Sequence, residues 1–461
     1  MNETQVVPGS FRDPSGFVFT DSGTIFRQVN QSYRDDYEQL IASGLYESLV
    51  KSNLLIPHEE EERRPPRDTL LYKVIRPERV PFISYPFEWS FGQLRDAALV
   101  TLSVQAQALE HGMILKDGTA LNVQFLGSRP VFIDTLSFER YREGMVWAGY
   151  KQFCGHFLAP LALMACRHIE LHQLQQVYTD GIPLDLASSL LPSWTLLSFP
   201  LLSHIHLHAR SQRHFERKPS ASGNGKMSRA ALLALLENLR SCIEGLKSPF
   251  SRSNWTDYYD TAAQYSSEAL ARKQGYVVQF LAQARPTIVW DLGANTGMFS
   301  RLAASQGIYT VALDADHGCV ERVYQDAAKS QDRNILPLRA DINNPTPSLG
   351  WENRETMSLL DRGPADAALA LALVHHLAIG NNVPLFRIAE FFDRICRRLL
   401  IEFVPKSDPQ VQQMLSSRRD IFPDYTVQTF ECAFDRFFEI TDSVLLPNSG
   451  RRLYCMKKRR T

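Results

Sequence analysis

The segment Ile288 to Ser300, IVWDLGANTGMFS, constrains this chain more than any other. An apolar, β-rich run ends on Asp291. Gly293, Asn295 and Gly297 follow, and a helix-compatible pattern then begins. A tight strand-to-helix turn needs residues without a Cβ, or ones that tolerate positive φ. Asn is the commonest substitute for Gly in that conformation. Such a turn exposes the backbone and the first helical N–H groups to a ligand. Asp314 closes the next apolar run, YTVALDAD, 23 residues after Asp291. A carboxylate there can accept hydrogen bonds from both hydroxyls of a ribose. The unit therefore predicts a site for an adenosine-containing cofactor.

The residues around it repeat one pattern. Short apolar runs at Thr287–Trp290, Tyr309–Leu313, Ile335–Arg339, Ala367–Val374 and Leu399–Val404 alternate with helix-compatible stretches. That alternation predicts an α/β fold with a parallel sheet covered on both faces. The end of the chain departs from it. Phe437–Thr441 and Arg452–Met456 flank the turn-rich LLPNSG, which predicts a closing antiparallel hairpin.

The dinucleotide fingerprint is G-x-G-x-x-G, whereas this chain reads G-A-N-T-G. The segment instead resembles the first motif of class I S-adenosylmethionine-dependent methyltransferases, D/E-x-G-x-G-x-G. It matches at Asp291, Gly293 and Gly297, with Asn295 in the middle position. The resemblance covers about 200 residues and implies a Rossmann-like seven-stranded sheet with S-adenosyl-L-methionine as cofactor. It implies that the turn holds the methionine part, that Asp314 is the ribose acid and that Asp341, in LRADINN, is the acid near the adenine. Asp366 to Leu377, DAALALALVHHL, looks like the fourth motif, which lines the methyl-transfer site. The closing hairpin fits the antiparallel seventh strand of that family. The full layout is similar to bacterial methyltransferases related to rhizobial nodulation proteins.

Methyl transfer is an in-line displacement, in which positioning can lower the barrier by roughly 7–11 kcal/mol. A base is needed only if the acceptor must lose a proton. His375 and His376 end the fourth strand, where open α/β sheets place ligands, and they are the catalytic candidates. Packing against the cofactor or closing a loop is the competing role for them. Glu402, in LLIEFVPKSD, is either a substrate contact or a structural carboxylate. Tyr258, Tyr259 and Tyr265 suit an aromatic lid or plain helix packing. There is no Asn/Asp-Pro-Pro-Tyr sequence, which disfavours acceptors that are bases or amides.

In the N-terminal half, Asp117 precedes Asn122 by five residues, and a β-like run ends in Asp134. This spacing resembles the catalytic loop and metal-binding Asp of kinase-like phosphotransferases. SGFVFTDSGTIFRQV would be the opening hairpin of a reduced lobe. Arg27 stands roughly where the phosphate-binding Lys belongs, and no Gly-rich loop is visible. A degenerate kinase-like module, an unrelated fold and an active phosphotransferase all remain open. A chain that lacks half the cations and donors should not turn over ATP.

The domain division follows composition. Residues 1–210 read as an N-terminal α+β domain with kinase-like features. Residues 211–250 read as a polar linker and a connecting helix over Arg229 to Leu246, and 251–461 as the methyltransferase domain. The 50 basic and 50 acidic residues balance, which argues against nucleic acid as a partner. Seven dispersed cysteines, none in Cys-x-x-Cys spacing, argue against a disulfide framework or a thiolate zinc site and for a reducing cytoplasm. No metal site is assigned. His204, His206 and His208 alternate as on one strand face, with apolar flanks. Leu186 to Ala209 is uncharged yet broken by Pro192 and Pro200, so it predicts buried or interfacial helices instead of a membrane span. His58 to Arg67, HEEEERRPPR, reads as a solvated loop. The function expected is methyl transfer to an acceptor the sequence does not name: small molecule, glycan or protein. The rival from another class is a catalytically silent cofactor-binding or partner-binding scaffold.

Overall fold

The computed structural model describes residues 4–66, 69–208, 226–249, 266–416 and 419–459. Two compact units divide the chain. The first comprises Met1–Leu126, Pro130–Pro249 and Ser348–Thr356, and the second Gly127–Arg129, Phe250–Pro347 and Met357–Thr461.

The first unit carries a five-stranded antiparallel sheet. It contains β1 (Gln5–Val6), β2 (Gly16–Asp21), β3 (Thr24–Asn30), β4 (His58–Glu61) and β5 (Leu71–Pro77), in the order β1-β2-β3-β5-β4. The β2–β3 hairpin falls where the sequence places it, with Phe19 opposite Phe26. The loop expected over His58 to Arg67 is instead strand β4 in its first four residues. Its acids are drawn to the neighbouring strand: Glu60 pairs with Lys73, and Glu59 and Glu61 pair with Arg76. Opposite charges across strands stabilise a pairing that composition alone hides. The helix Phe91–Glu110 begins with a capping box, Ser90 Oγ accepting from Gln93 N at 3.3 Å. Short strands follow: β6 (Met113–Leu115), β7 (Val123–Leu126), β8 (Arg129–Phe132) and β9 (Phe138–Arg140).

The helix Arg229–Gly245 does not stand apart as a connector. It packs on Phe91–Glu110, with Arg240 Nη2 donating to Ser103 Oγ at 2.9 Å. The described part of the uncharged stretch, Leu186 to His208, breaks near its prolines into short helical turns, and no helix among the described residues is long and apolar enough to cross a membrane. His204 and His206 lie on a wide helical turn, Leu202–Leu207, and not on a strand. Both are buried, and each ring is tied by side chains on both nitrogens. His204 meets Tyr150 and Asn238, and His206 meets Ser188 and Thr195. Hydrogen bonds of this kind make them core histidines.

The second unit is a seven-stranded sheet. Its strands are β10 (Ile288–Leu292), β11 (Tyr309–Asp314), β12 (Ile335–Arg339), β13 (Ala365–Ala370), β14 (Cys396–Phe403), β15 (Phe438–Leu445) and β16 (Arg452–Lys458), in the order β12-β11-β10-β13-β14-β16-β15. The first five strands are parallel, and β16 runs antiparallel to both β14 and β15. Strands buried on both faces read as unbroken apolar runs, which is why they were visible in the sequence. Val289, Ala367, Leu369 and Leu400 form the core with Phe280 and Phe299 from the covering helices. The parallel order with one antiparallel strand inserted next to the edge is the class I methyltransferase arrangement. The chain winds outward on both sides of β10. The crevice at the carboxyl ends of β10 and β13 is therefore the topological switch point where such sheets bind ligands.

Candidate functional site

A cleft of about 230 Å³ opens at that switch point. Gly293, Asn295, Asp314, Asp341 and His376 all line it. The turn after β10 is tied down by backbone bonds. Gly293 N and Ala294 N both donate to Leu313 O, at 2.8 and 3.0 Å. Gly293, Asn295 and Gly297 have φ of +74°, +51° and +77°, so the glycines and the Asn answer a conformational demand.

The two glycines differ in duty. Gly293 faces the cleft, and a Cβ there would meet only Leu373 Cδ1, at 3.4 Å. Gly297 does not line the cleft, and its Cβ would press on Val323 Cγ2 at 2.8 Å. From the sequence, valine at either position should remove ligand binding and leave the fold intact. The structure separates them. Gly293→Val should fill the cleft at the cost of positive-φ strain, about 1–2 kcal/mol. Gly297→Val should add overpacking of about 1–3 kcal/mol and show itself first in thermal unfolding. Equal melting temperatures for the two variants would refute the distinction.

Asp314 ends β11, half-buried, with its carboxylate held at both oxygens. Oδ2 accepts from Asn295 N at 2.7 Å, and Oδ1 accepts from Asp316 N at 2.8 Å. Burial pushes its pKa up to about 6, against the lowering effect of those backbone donors. The motif match makes Asp291 a cofactor-binding candidate, yet it does not line the cleft. It is buried below the turn and accepts from Ser300 Oγ at 2.5 Å, outside the cleft lining. Burial raises its pKa to about 6 as well. Its work is to join β10 to the helix Met298–Ala304. Asp341 follows β12 and accepts from Asn343 N at 2.9 Å.

His376 reaches the cleft, whereas its neighbour His375 does not. The rings lie 4.2 Å apart. Burial, followed by the field of Arg451, lowers the pKa of His376; burial and then His376 lower that of His375. Both are therefore neutral imidazoles near neutral pH. His375 is fully buried, and neither of its nitrogens meets a partner among the described residues. Asp366, the one acid of DAALALALVHHL, lies at the opposite end of β13 and accepts from Thr287 N at 3.0 Å. Tyr258, Tyr259 and Tyr265 lie outside the described residues.

Two features escaped the sequence. Ala372 lines the cleft at φ +53°, and nothing in the run ALALV marks it. Lys273, on the helix Ser267–Ala284, is completely buried and donates to Glu402 Oε2 at 2.7 Å. Arg451 continues the network, bonding Asp408 through Nε and Nη2 at 2.7 and 3.0 Å. Glu402 is thus committed to an internal ion pair. A lysine inside an amphipathic helix looks like a solvated residue until its partner is known.

In the first unit the Asp117, Asn122 and Asp134 spacing does bring side chains together. Asn122 Nδ2 donates to Asp117 Oδ1 at 2.9 Å. Arg27 bridges Asp134 and Asp13, at 2.7 and 2.9 Å. The cation that would hold a phosphate is thus spent between two acids. The full chain should show no ATP hydrolysis above background. Turnover that vanishes in Asp134→Asn would refute this. Among the described residues, no group of three or more His, Cys, Asp or Glu side chains is arranged to hold a metal.

No protein-family model matches the chain. Among solved structures it is similar to the PH0226 protein of Pyrococcus horikoshii OT3, at 15% identity and TM-score 0.31, covering 44% of this chain and 99% of that one. It is also similar to the magnesium protoporphyrin IX methyltransferase ChlM of Synechocystis PCC 6803, at 16% and TM-score 0.31, covering 44% and 98%, and to WbdD, at 16% and TM-score 0.31, covering 46% and 44%. The strand order, and not these faint likenesses, defines the fold. Over its full length the chain is 36% identical to the nodulation protein NoeA of Rhizobium meliloti (strain 1021), covering 98% of this chain and 96% of that one. With that identity across nearly all of both sequences, the chain belongs to the NoeA family.

Proposed function

We propose that this protein is an S-adenosylmethionine-dependent methyltransferase. The observation that carries the reading is the pairing of Gly293 and Asp314 on one cleft at the switch point of a methyltransferase sheet. The residues fit the cofactor. Gly293 leaves a cradle that a Cβ would fill. The Asp314 carboxylate suits paired ribose hydroxyls, and Asp341, which also lines the cleft, is assigned to the adenine. The cofactor supplies a sulfonium-bound methyl group, which passes to an acceptor lone pair and leaves S-adenosylhomocysteine. His376, neutral and lining the cleft, is placed to take a proton from an acceptor that must lose one. His375 acts behind it as a packing partner. Glu402 is structural.

The acceptor class is a small molecule, a glycan or a protein. A labelled-methyl transfer screen against fractionated bacterial extract tests the reading. Label that passes from S-adenosylmethionine to an extract component, and is lost in Asp314→Ala, is the expected result. Tight cofactor binding with no transfer to any fraction would favour the scaffold. Acidity adds a second test. Asp314 is a better acceptor when ionised and titrates at about 6. Its raised pKa means that folding disfavours the ionised form, so the affinity for S-adenosylhomocysteine should fall below pH 6. The dissociation constant should rise about tenfold from pH 7 to pH 5, and Asp314→Asn should flatten that profile.

A further inference from the structure

The second unit has another cleft, of about 530 Å³, that the cofactor reading leaves unused. It lies between the start of the helix Leu385–Ile395 and the helix Val427–Asp435. Ala378, Leu385, Tyr425 and Ala433 give it buried apolar walls, and Phe386 and Ile421 also line it. The Tyr425 hydroxyl is spent on Val404 O at 2.8 Å, and its ring stacks on Phe403. The size suits a small organic ligand.

Two facts say what it would take. First, one wide helical turn, His376–Gly380, serves both clefts: His376 and Leu377 line the cofactor cleft, and Ala378 lines this one. The two clefts are thus lined by consecutive residues of one turn, Leu377 and Ala378. Second, among the described residues the cleft has one cation in its lining, Arg436. The Arg436 guanidinium sits 5.1 Å over the Phe386 ring and makes no ion pair among the described residues. A ring under a guanidinium holds the charge at an apolar wall. Asp424 shares the lining and, like Arg436, is exposed; of the two, Arg436 is the one held on an aromatic ring of the cleft.

We propose that this cleft seats the methyl acceptor, and that the acceptor is an apolar-bodied anion. Its aromatic or short acyl body lies on Phe386 and Tyr425, and its carboxylate, sulfate or phosphate meets Arg436. The acceptor role rests on the methyltransferase reading, whereas the ligand class rests on the cleft alone.

The test uses the full chain and 8-anilinonaphthalene-1-sulfonate, an aromatic anion. Cys432 is exposed and lines the cleft, so its alkylation by iodoacetamide reports occupancy. The probe should bind one to one and slow alkylation of Cys432. Arg436→Gln should weaken it about tenfold, as expected for loss of a charged hydrogen bond. Thr429→Trp, at an exposed position facing the cleft, should abolish binding. Neither variant should change the affinity for S-adenosylhomocysteine. Probe binding that ignores both variants, or that leaves Cys432 equally reactive, would overturn the proposal while leaving the cofactor reading intact. Probe binding as expected in a protein that does not bind S-adenosylhomocysteine would overturn the acceptor role and the methyltransferase reading with it.

Discussion

Replacing Lys273 with methionine is expected to destabilise the second unit by about 3–5 kcal/mol. The Lys273 and Glu402 side chains are both completely buried and meet at 2.7 Å. Methionine matches the aliphatic stem of lysine and removes only the charge, so little of the loss is packing. Glu402 is then left as a buried anion. Arg451 Nη1 still lies 3.8 Å from Oε1, but that guanidinium is already bonded to Asp408. Breaking a buried pair by removing one partner costs far more than a surface pair yields. The ammonium also lies 5.0 Å over the Phe299 ring, and that contact is lost with it. Urea unfolding of the full chain measures the change. The double variant Lys273→Met, Glu402→Met should recover a large part of the loss, because it removes both charges together. A single variant within about 0.5 kcal/mol of the parent, the range of an ordinary surface change, would show that the pair is solvated after all.

Asp314→Ala should weaken S-adenosylhomocysteine binding by about 10- to 100-fold. Each hydrogen bond to a charged group contributes roughly 1.5–3 kcal/mol, and tenfold in affinity is about 1.4 kcal/mol. The carboxylate has a second duty. It holds the turn by accepting from Asn295 N and Asp316 N, so alanine also loosens the backbone that lines the cleft. Asp314→Asn separates the two effects. The amide oxygen can still accept from one backbone donor, but the charge is gone. Calorimetry should rank the affinities parent, Asn, Ala, with all three proteins folded. An alanine variant with the parent's affinity would place the ribose elsewhere.

The parallel strands were legible because burial on both faces makes them plain apolar runs. β12 was read to the residue, Ile335–Arg339. β13 was placed two residues late at its start and four too long at its end, because the chain leaves the sheet at Ala370 without any polar signal. The cleft-lining Gly293, Asn295 and Asp314 were legible because each answers a local demand: positive φ at the turn, an acid at a strand end. Asp291 was legible as a motif but not in its role, since the partner that buries it, Ser300, is reached only after the turn. The charge network was illegible. Lys273, the Glu402–Asp408 segment and Arg451 come from three separate places in the chain, and ion pairing leaves no periodicity. The same holds for β4, whose acids look like a solvated run until Lys73 and Arg76 stand opposite them. Alternation at His204, His206 and His208 misled because a wide helical turn, like a strand, can bury residues two apart.

Whether the cleft between β10 and β13 holds S-adenosylmethionine is decided by one titration. S-adenosylhomocysteine is titrated calorimetrically into the full chain and into Gly293→Val at pH 7.5. One-to-one binding to the parent is expected and none to the variant, whose circular dichroism stays that of the parent. A folded parent that takes up no ligand, or a Gly293→Val protein that binds as the parent does, would contradict that expectation.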